Sequence, residues 1–170
     1  GTIHANGCAI DNCFVHDNAV GGKWGAGIYV DGNGSQITVS NCTFVGTQTN
    51  FVYTMSTVAK FVNCVLDCPS AGNGSMGATN VFHYCASSAG NPIPDVETGV
   101  GNLNKVDLGF VDKAGGDYHL SVGSPCRRAG RFGAWMRKAR DLDGRKRSAG
   151  GQVDIGCYQD SSIGLMLLVR

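Results

Sequence analysis

Glutamate occurs once in this chain, at Glu97, and proline only four times. Charged residues are sparse, at 16%. Long helices favour Glu, Lys, Ala and Leu, so this profile argues against them. No apolar run reaches ~18 residues, the length needed to cross a bilayer, so no membrane span is expected. The chain opens on Gly1 rather than Met. With no secretory leader visible, we expect a processed chain or a piece of a longer one.

Glycine is the most abundant residue, at 26 of 170. Short strands joined by tight turns suit that composition. The length allows one domain with a sizeable core, or one domain with a substantial cap. Eight cysteines in a polar, glycine-rich chain point to an oxidising compartment, subject to their spacing. Charge is unevenly spread. Residues 1–120 hold four basic and nine acidic side chains, a balance of −5, and residues 121–170 hold ten and four, a balance of +6. A basic segment suits an acidic polymer or nucleic acid. Its charges are not interleaved with aromatics, so it reads as a solvated loop and nucleic acid is not expected as a partner.

One phrase recurs four times. It reads Ala9-Ile10-Asp11-Asn12-Cys13-Phe14-Val15, Ile37-Thr38-Val39-Ser40-Asn41-Cys42-Thr43-Phe44, Lys60-Phe61-Val62-Asn63-Cys64-Val65-Leu66 and Asn80-Val81-Phe82-His83-Tyr84-Cys85-Ala86. Its cysteines are spaced by 29, 22 and 21 residues. A period just above 20 with alternating strands signals stacked repeats. Three residues before each Cys stands Ile10, Val39, Phe61 or Phe82. Two residues after it stands Val15, Phe44 or Leu66, with Ser87 the exception. Stacking would close these into two apolar columns. Asn before Cys suits a left-handed corner, and stacked Asn side chains can bond along the axis. An insertion from about Asn18 to Gly27 accounts for the longer first step. The expected fold is therefore all-β, a right-handed parallel β-helix with a loop-rich C-terminal cap. Its coils occupy 1–90, a connector 91–104 and the cap 105–170.

The repeat resembles the parallel β-helix of the pectate-lyase-like superfamily. A second resemblance covers 110–158. It rests on Phe110-Val111-Asp112, Gly116-Asp117-Tyr118-His119-Leu120, Gly123-Ser124-Pro125, Ala129-Gly130, Asp141-Leu142-Asp143-Gly144, Arg147 and Val153-Asp154-Ile155-Gly156-Cys157-Tyr158. Together these are similar to the choice-of-anchor Q domain that ends secreted bacterial β-helix proteins. This implies an extracellular or cell-surface location. No anchoring signal is expected after the motif, and Ile163 to Arg170 read as a last strand. In that family the variable positions of Gly-Ser-Pro-x and Asp-Ile-Gly-x-Tyr usually carry Ala. Here both carry Cys, so the resemblance implies a Cys126–Cys157 disulfide, closing a loop of about 30 residues and contributing ~3 kcal/mol. The ladder cysteines Cys13, Cys42, Cys64 and Cys85 read as buried thiols.

No complete catalytic set is present. A glycoside hydrolase needs paired carboxylates, and the paired-Asp motifs are absent. A lyase needs a base, with Ca²⁺ or Arg to neutralise a uronate. Asp11, His16, Asp17, Lys23 and Asp31 lie on or near the first repeat, and among them Asp17, Lys23 and Asp31 are the catalytic candidates. Asp141 and Asp143, alternating before Gly144, are candidates for Ca²⁺, although the usual third oxygen ligand and distal Glu are missing. No other metal or cofactor is expected, because the four histidines show no ligand spacing. Asn33, Asn41 and Asn73 match a glycosylation sequon. Trp24 and Trp135, each near Gly in a loop, are candidates to stack on a sugar face.

Three functions remain in play. The leading expectation is an extracellular structural or carbohydrate-associated module, non-catalytic by itself. The alternatives are a polysaccharide lyase or glycoside hydrolase, and a subunit that self-associates, or meets upstream coils, through open strand edges.

Overall fold

The computed structural model describes residues 3–5, 8–18, 27–31, 36–46, 52–55, 58–68, 79–88, 93, 99–148 and 151–160. Among these, fourteen strands run in chain order: β1 (Ile3–Ala5), β2 (Ala9–Asp11), β3 (Phe14–His16), β4 (Ile28–Asp31), β5 (Gln36–Ser40), β6 (Thr43–Val45), β7 (Val52–Met55), β8 (Val58–Val62), β9 (Val65–Asp67), β10 (Thr79–His83), β11 (Ala86–Ser88), β12 (Leu103–Val106), β13 (Phe110–Asp112) and β14 (Asp117–Leu120). One 3-10 turn covers Ala134–Arg137.

Three of the sheets are parallel, in the orders β1-β4-β7, β10-β8-β5-β2 and β12-β11-β9-β6-β3, and β13 pairs with β14 antiparallel. The expectation of a closed parallel β-helix is corrected here. What is seen is a set of separate parallel sheets, with no closed solenoid among the described residues. The physical reason is that a repeat fixes which residues lie beside one another. It does not fix how the sheets close on each other. The expected last strand over 163–170, most of the 18–27 insertion, and Asn33 and Asn73 lie outside the described residues.

The register follows the repeat. Ile10, Val39, Phe61 and Phe82 pair in succession across β2, β5, β8 and β10. Val15, Phe44, Leu66 and Ser87 do the same across β3, β6, β9 and β11. Both columns are buried. Phe61 stacks on Phe82 at 4.9 Å between ring centroids and meets Phe44 edge-on at 6.5 Å. Burying one such side chain stabilises by roughly 1.5–3 kcal/mol, so these columns hold the sheets together.

Between the columns, Asn12, Asn41, Asn63 and Tyr84 take φ of 56°, 50°, 54° and 53°. This left-handed region turns the chain from one sheet to the next, and Asn is the ordinary side chain that enters it most cheaply. The cysteines stack just inside. Cys13 N–H donates to Cys42 Sγ and Cys64 N–H to Cys85 Sγ, each at 3.4 Å. Burial holds the Cys64 thiol well above its ordinary value, so it is an inert small apolar group.

The ladder runs one rung past the four sequence repeats. β12 pairs parallel with β11. Gly101 takes the left-handed corner at φ 72°, and Asn102 stands where the next cysteine would. Its Oδ1 accepts the Cys85 N–H at 2.9 Å and its Nδ2 donates to Phe82 O at 2.9 Å. A Cβ on Gly101 would lie 2.5 Å from the Tyr84 ring, so glycine is required there twice over. Where the second column ends in Ser87, the Ser87 hydroxyl and Asn104 engage each other at 2.6 Å. Asn104 also holds both the N–H and the C=O of Ile93 at 2.9 Å. Ile93 itself is buried in the core.

The cap lies along the corner column. Asn12 Nδ2 donates to Arg140 O at 3.1 Å and Asn41 Nδ2 to Asp154 O at 3.3 Å. Asn63 holds both the N–H and the C=O of Arg131, each at 2.8 Å. Arg147, fully buried, reaches Asn12 Oδ1 at 2.6 Å, Asn41 O at 3.3 Å and Tyr158 O at 3.4 Å. The corner asparagines therefore do two jobs: they bend each rung and they bind the cap.

Candidate functional site

The core parity fixes the outer face. With Val39, Phe61 and Phe82 inward, strand alternation turns Thr38, Ser40, Lys60, Val62 and His83 outward. Cap residues 131–136 cover part of this face. Between them lies a groove of about 340 Å³, lined by Thr38, Ser40, Lys60, Val62, His83, Arg131, Phe132, Gly133, Trp135 and Met136. Its floor is strand and its roof is cap. The roof is anchored by Asn63 through the Arg131 backbone and by Met136, which is buried. Phe132 and Trp135 are 38% and 40% exposed, an unusual degree for large aromatics in a folded chain.

Lys60 and Arg131 have no carboxylate partner among the described residues, and no Asp or Glu is among the groove residues. The Arg131 guanidinium lies over the Tyr84 ring, 5.9 Å from its centroid. His83 Nδ1 accepts the Val100 N–H at 3.4 Å. In the neutral ring that bond leaves the proton on Nε2, which makes His83 a donor. Burial, then the neighbouring Lys60 and Arg131 charges, push His83 below its ordinary value.

Among the sequence candidates that the structure describes, Trp135 falls on the groove, and Asp17, Asp141 and Asp143 do not. Asp17 is exposed, in a left-handed conformation at φ 49°, and pairs with His16 Nδ1 at 2.8 Å on the far side of the corner. Lys23 and Trp24 lie outside the described residues, as does the side chain of Asp31. Lys60, His83, Arg131 and Phe132 were missed. For Lys60 and His83 the period-two alternation of the repeat carried the signal. For Arg131 and Phe132 nothing local did, because their position depends on how the cap docks.

Asp141 and Asp143 have structural partners. Asp141 Oδ1 accepts the Asp143 and Arg145 N–H groups at 3.0 and 2.7 Å, and its Oδ2 accepts the Gln159 N–H at 2.7 Å. Asp143 Oδ2 pairs with His119 Nε2 at 2.8 Å and Arg145 Nη1 at 3.1 Å. Among the described residues no group of three or more His, Cys, Asp or Glu is placed to hold a metal ion.

The expected Cys126–Cys157 disulfide is corrected: both are free, buried thiols. The cap register explains this. Ile155, not Cys157, bonds to Cys126, through its N–H and the Cys126 carbonyl at 2.9 Å. Cys126 packs with Val65, Ala86, Leu108 and Ile155. The Cys157 N–H turns instead to Thr43 Oγ1 at 3.0 Å. Burial pushes both thiols up to about 11.

No family model matches the chain, and no curated protein or solved structure is significantly similar to it.

Proposed function

We propose that this chain is a carbohydrate-associated structural module of an extracellular or cell-surface protein, and that it binds glycan without cleaving it. The observation that carries the reading is the groove itself. It sets two exposed aromatics beside Thr38, Ser40, Lys60, His83 and Arg131. Aromatic faces stack on the apolar face of a sugar, and the surrounding donors suit its hydroxyls. Two features argue for binding over cleavage. A glycoside hydrolase places two carboxylates across the scissile bond, and the groove offers none. A lyase needs a base, whereas His83 presents a proton. The location rests on the resemblance of residues 110–158 to exported proteins. The cysteine count no longer supports it, since no disulfide forms among the eight cysteines.

Titration calorimetry against neutral and acidic oligosaccharides tests the proposal, with Trp135→Ala as the control variant. Binding should weaken about tenfold in that variant, or ~1.4 kcal/mol. Equal affinity in both proteins would place the ligand elsewhere. Unsaturated or reducing products above background would show an enzyme instead.

A further inference from the structure

The groove has a charge that its structural role does not use. Lys60 projects from β8, Arg131 from the cap and His83 from the neighbouring β10. In register, His83 pairs with Val62, Val62 with Ser40 and Ser40 with Asp11. Asp11 is thus the one carboxylate in this row, three strands from His83, or ~14 Å at ordinary strand spacing. Thr38 and Ser40 are neutral. The His83 ring also accepts the Val100 N–H, and the Tyr84 ring lies beneath Arg131. Two permanent cations and a titratable ring therefore share one end of a groove whose described lining holds no compensating anion. The Arg131 backbone is held by two bonds to Asn63, and its guanidinium lies over the Tyr84 ring, so the charge is placed at the groove before any ligand arrives. Preorganised positive charge in a cleft concentrates anions and discriminates by sign.

We infer that the Lys60–His83–Arg131 end of the groove is a subsite for an anionic group on the ligand, a carboxylate or a sulfate ester. We infer further that His83 takes up a proton from solvent when that group binds. This rests on the glycan reading of the groove and narrows it to charged glycans. The proton uptake follows from the same geometry. In the empty groove the neighbouring cations oppose an imidazolium. A bound anion offsets them and accepts a hydrogen bond from the ring. No bond between heavy atoms forms or breaks; one proton passes from buffer to Nδ1, which gives up the solvent-exposed Val100 N–H to water, while the Nε2–H donates to the anion. Affinity for a charged glycan should therefore rise as pH falls toward 5.5.

The experiment uses the full chain with four probes: an oligogalacturonate, a sulfated galacto-oligosaccharide, a cello-oligosaccharide of the same length, and sodium sulfate. Binding is measured by calorimetry at pH 6 in low salt, in two buffers of different ionisation enthalpy. The His83 ring is followed by NMR. The charged oligosaccharides should bind at least tenfold more tightly than the neutral one, and the His83 midpoint should move up by about one pH unit. Proton uptake should appear between the buffers and vanish in His83→Gln. Lys60→Gln, an exposed strand substitution, should remove most of the charge preference. A preference for the carboxylate over the sulfated ligand, or the reverse, identifies the group. Equal affinity for neutral and charged ligands overturns this inference and leaves the glycan reading standing. Charged binding without movement of His83 overturns the proton linkage. If no oligosaccharide binds but sulfate alone moves His83, and Lys60→Gln abolishes that, the anion subsite stands and the glycan reading falls. If neither sugar nor sulfate acts on the groove, both fall.

Discussion

The ladder and the cap bury polar groups in different ways. In the ladder the inward columns are mostly apolar, with Val39, Phe44, Phe61, Leu66 and Phe82 and thiols at the corners, and the charged side chain buried there among the described residues is Asp67. In the cap the buried set includes Arg147, Asp141, Asp154 and Gln159. Each of these is tied to backbone. Asp154 takes the Arg128 and Asp160 N–H groups at 2.7 and 2.6 Å, and Gln159 Oε1 takes the Asp154 N–H at 3.1 Å. Burial lifts Asp154 above the ordinary carboxylate range and pulls Arg147 below its ordinary value, which marks the desolvation these groups carry. A repeated apolar column tolerates small changes of shape, rung by rung. A polar network of this kind works only when complete, since each lost partner strands another buried group.

The comparison can be broken most sharply at Phe61. Phe61→Ala removes a ring packed between Phe44 and Phe82 and should cost about 3–5 kcal/mol. Because the cap rests on the same rungs, both regions should lose stability together. Arg147→Met should cost less, about 2–3 kcal/mol, by leaving the Asn12 side chain and the Asn41 and Tyr158 carbonyls without donors. Its effect should be local. Amides of residues 126–160 should exchange faster while those of β5 and β8 keep their protection. Uniform acceleration in Arg147→Met would show that ladder and cap form one cooperative unit.

A smaller effect separates the two jobs of the corner asparagine. Asn63→Gly keeps the left-handed turn at little cost but loses the two bonds to Arg131 and the 3.3 Å bond to Asn41. About 1–2 kcal/mol should be lost, with exchange rising around Arg131 and the groove roof. Asn63→Ala should cost roughly 1 kcal/mol more, from the left-handed backbone. Equal losses in the two variants would mean that conformation contributes nothing at this corner.

The sequence was most legible where it repeats. A column such as Ile10, Val39, Phe61 and Phe82 needs only alternation and period to be read, and its register is observed. The fifth rung was hidden because its chemistry changed while its geometry did not. Gly101 replaces the corner Asn and Asn102 replaces the Cys, so a motif search for Asn-Cys stops one rung early. Closure of the sheets was misjudged because periodicity constrains neighbours along the stack and says little across it. The cap defeated local reading for a related reason. Arg147 lies 135 residues from its closest partner, Asn12. Cys126 and Cys157 suggested a bond through their positions in similar motifs, yet which faces they turn is set by docking against Thr43 and Val65. The groove shares that limit. Its floor follows from strand parity, and its roof exists only once Asn63 has captured Arg131.

The mildest test concerns a link between the two surface elements of the cap. His119 on β14 bridges Asp117 Oδ1 at 2.5 Å and Asp143 Oδ2 at 2.8 Å, one carboxylate on each ring nitrogen. Partial burial works against the charged ring, but the two carboxylates outweigh it and lift His119 above its ordinary value. The sign follows from linkage. A raised folded-state value means the contribution is fully present below the unfolded value, about 6.5, and fades as pH rises through the folded one. Two other sets of groups bound the usable window. His83 is shifted down, so its contribution favours unfolding as pH falls below about 6.5. Cys126 and Cys157, pushed up to about 11, favour unfolding once the unfolded thiols ionise near 8.5. Between pH 6.5 and 8 the slope belongs to His119 within this set. Its side chain is 36% exposed, so solvent screening keeps the effect small, about 0.5 kcal/mol. Denaturant midpoints should fall across this window in the wild type and stay flat in His119→Gln, and 1 M salt should flatten the wild-type curve. Parallel curves for the two proteins would show that the bridge carries no charge-dependent stability.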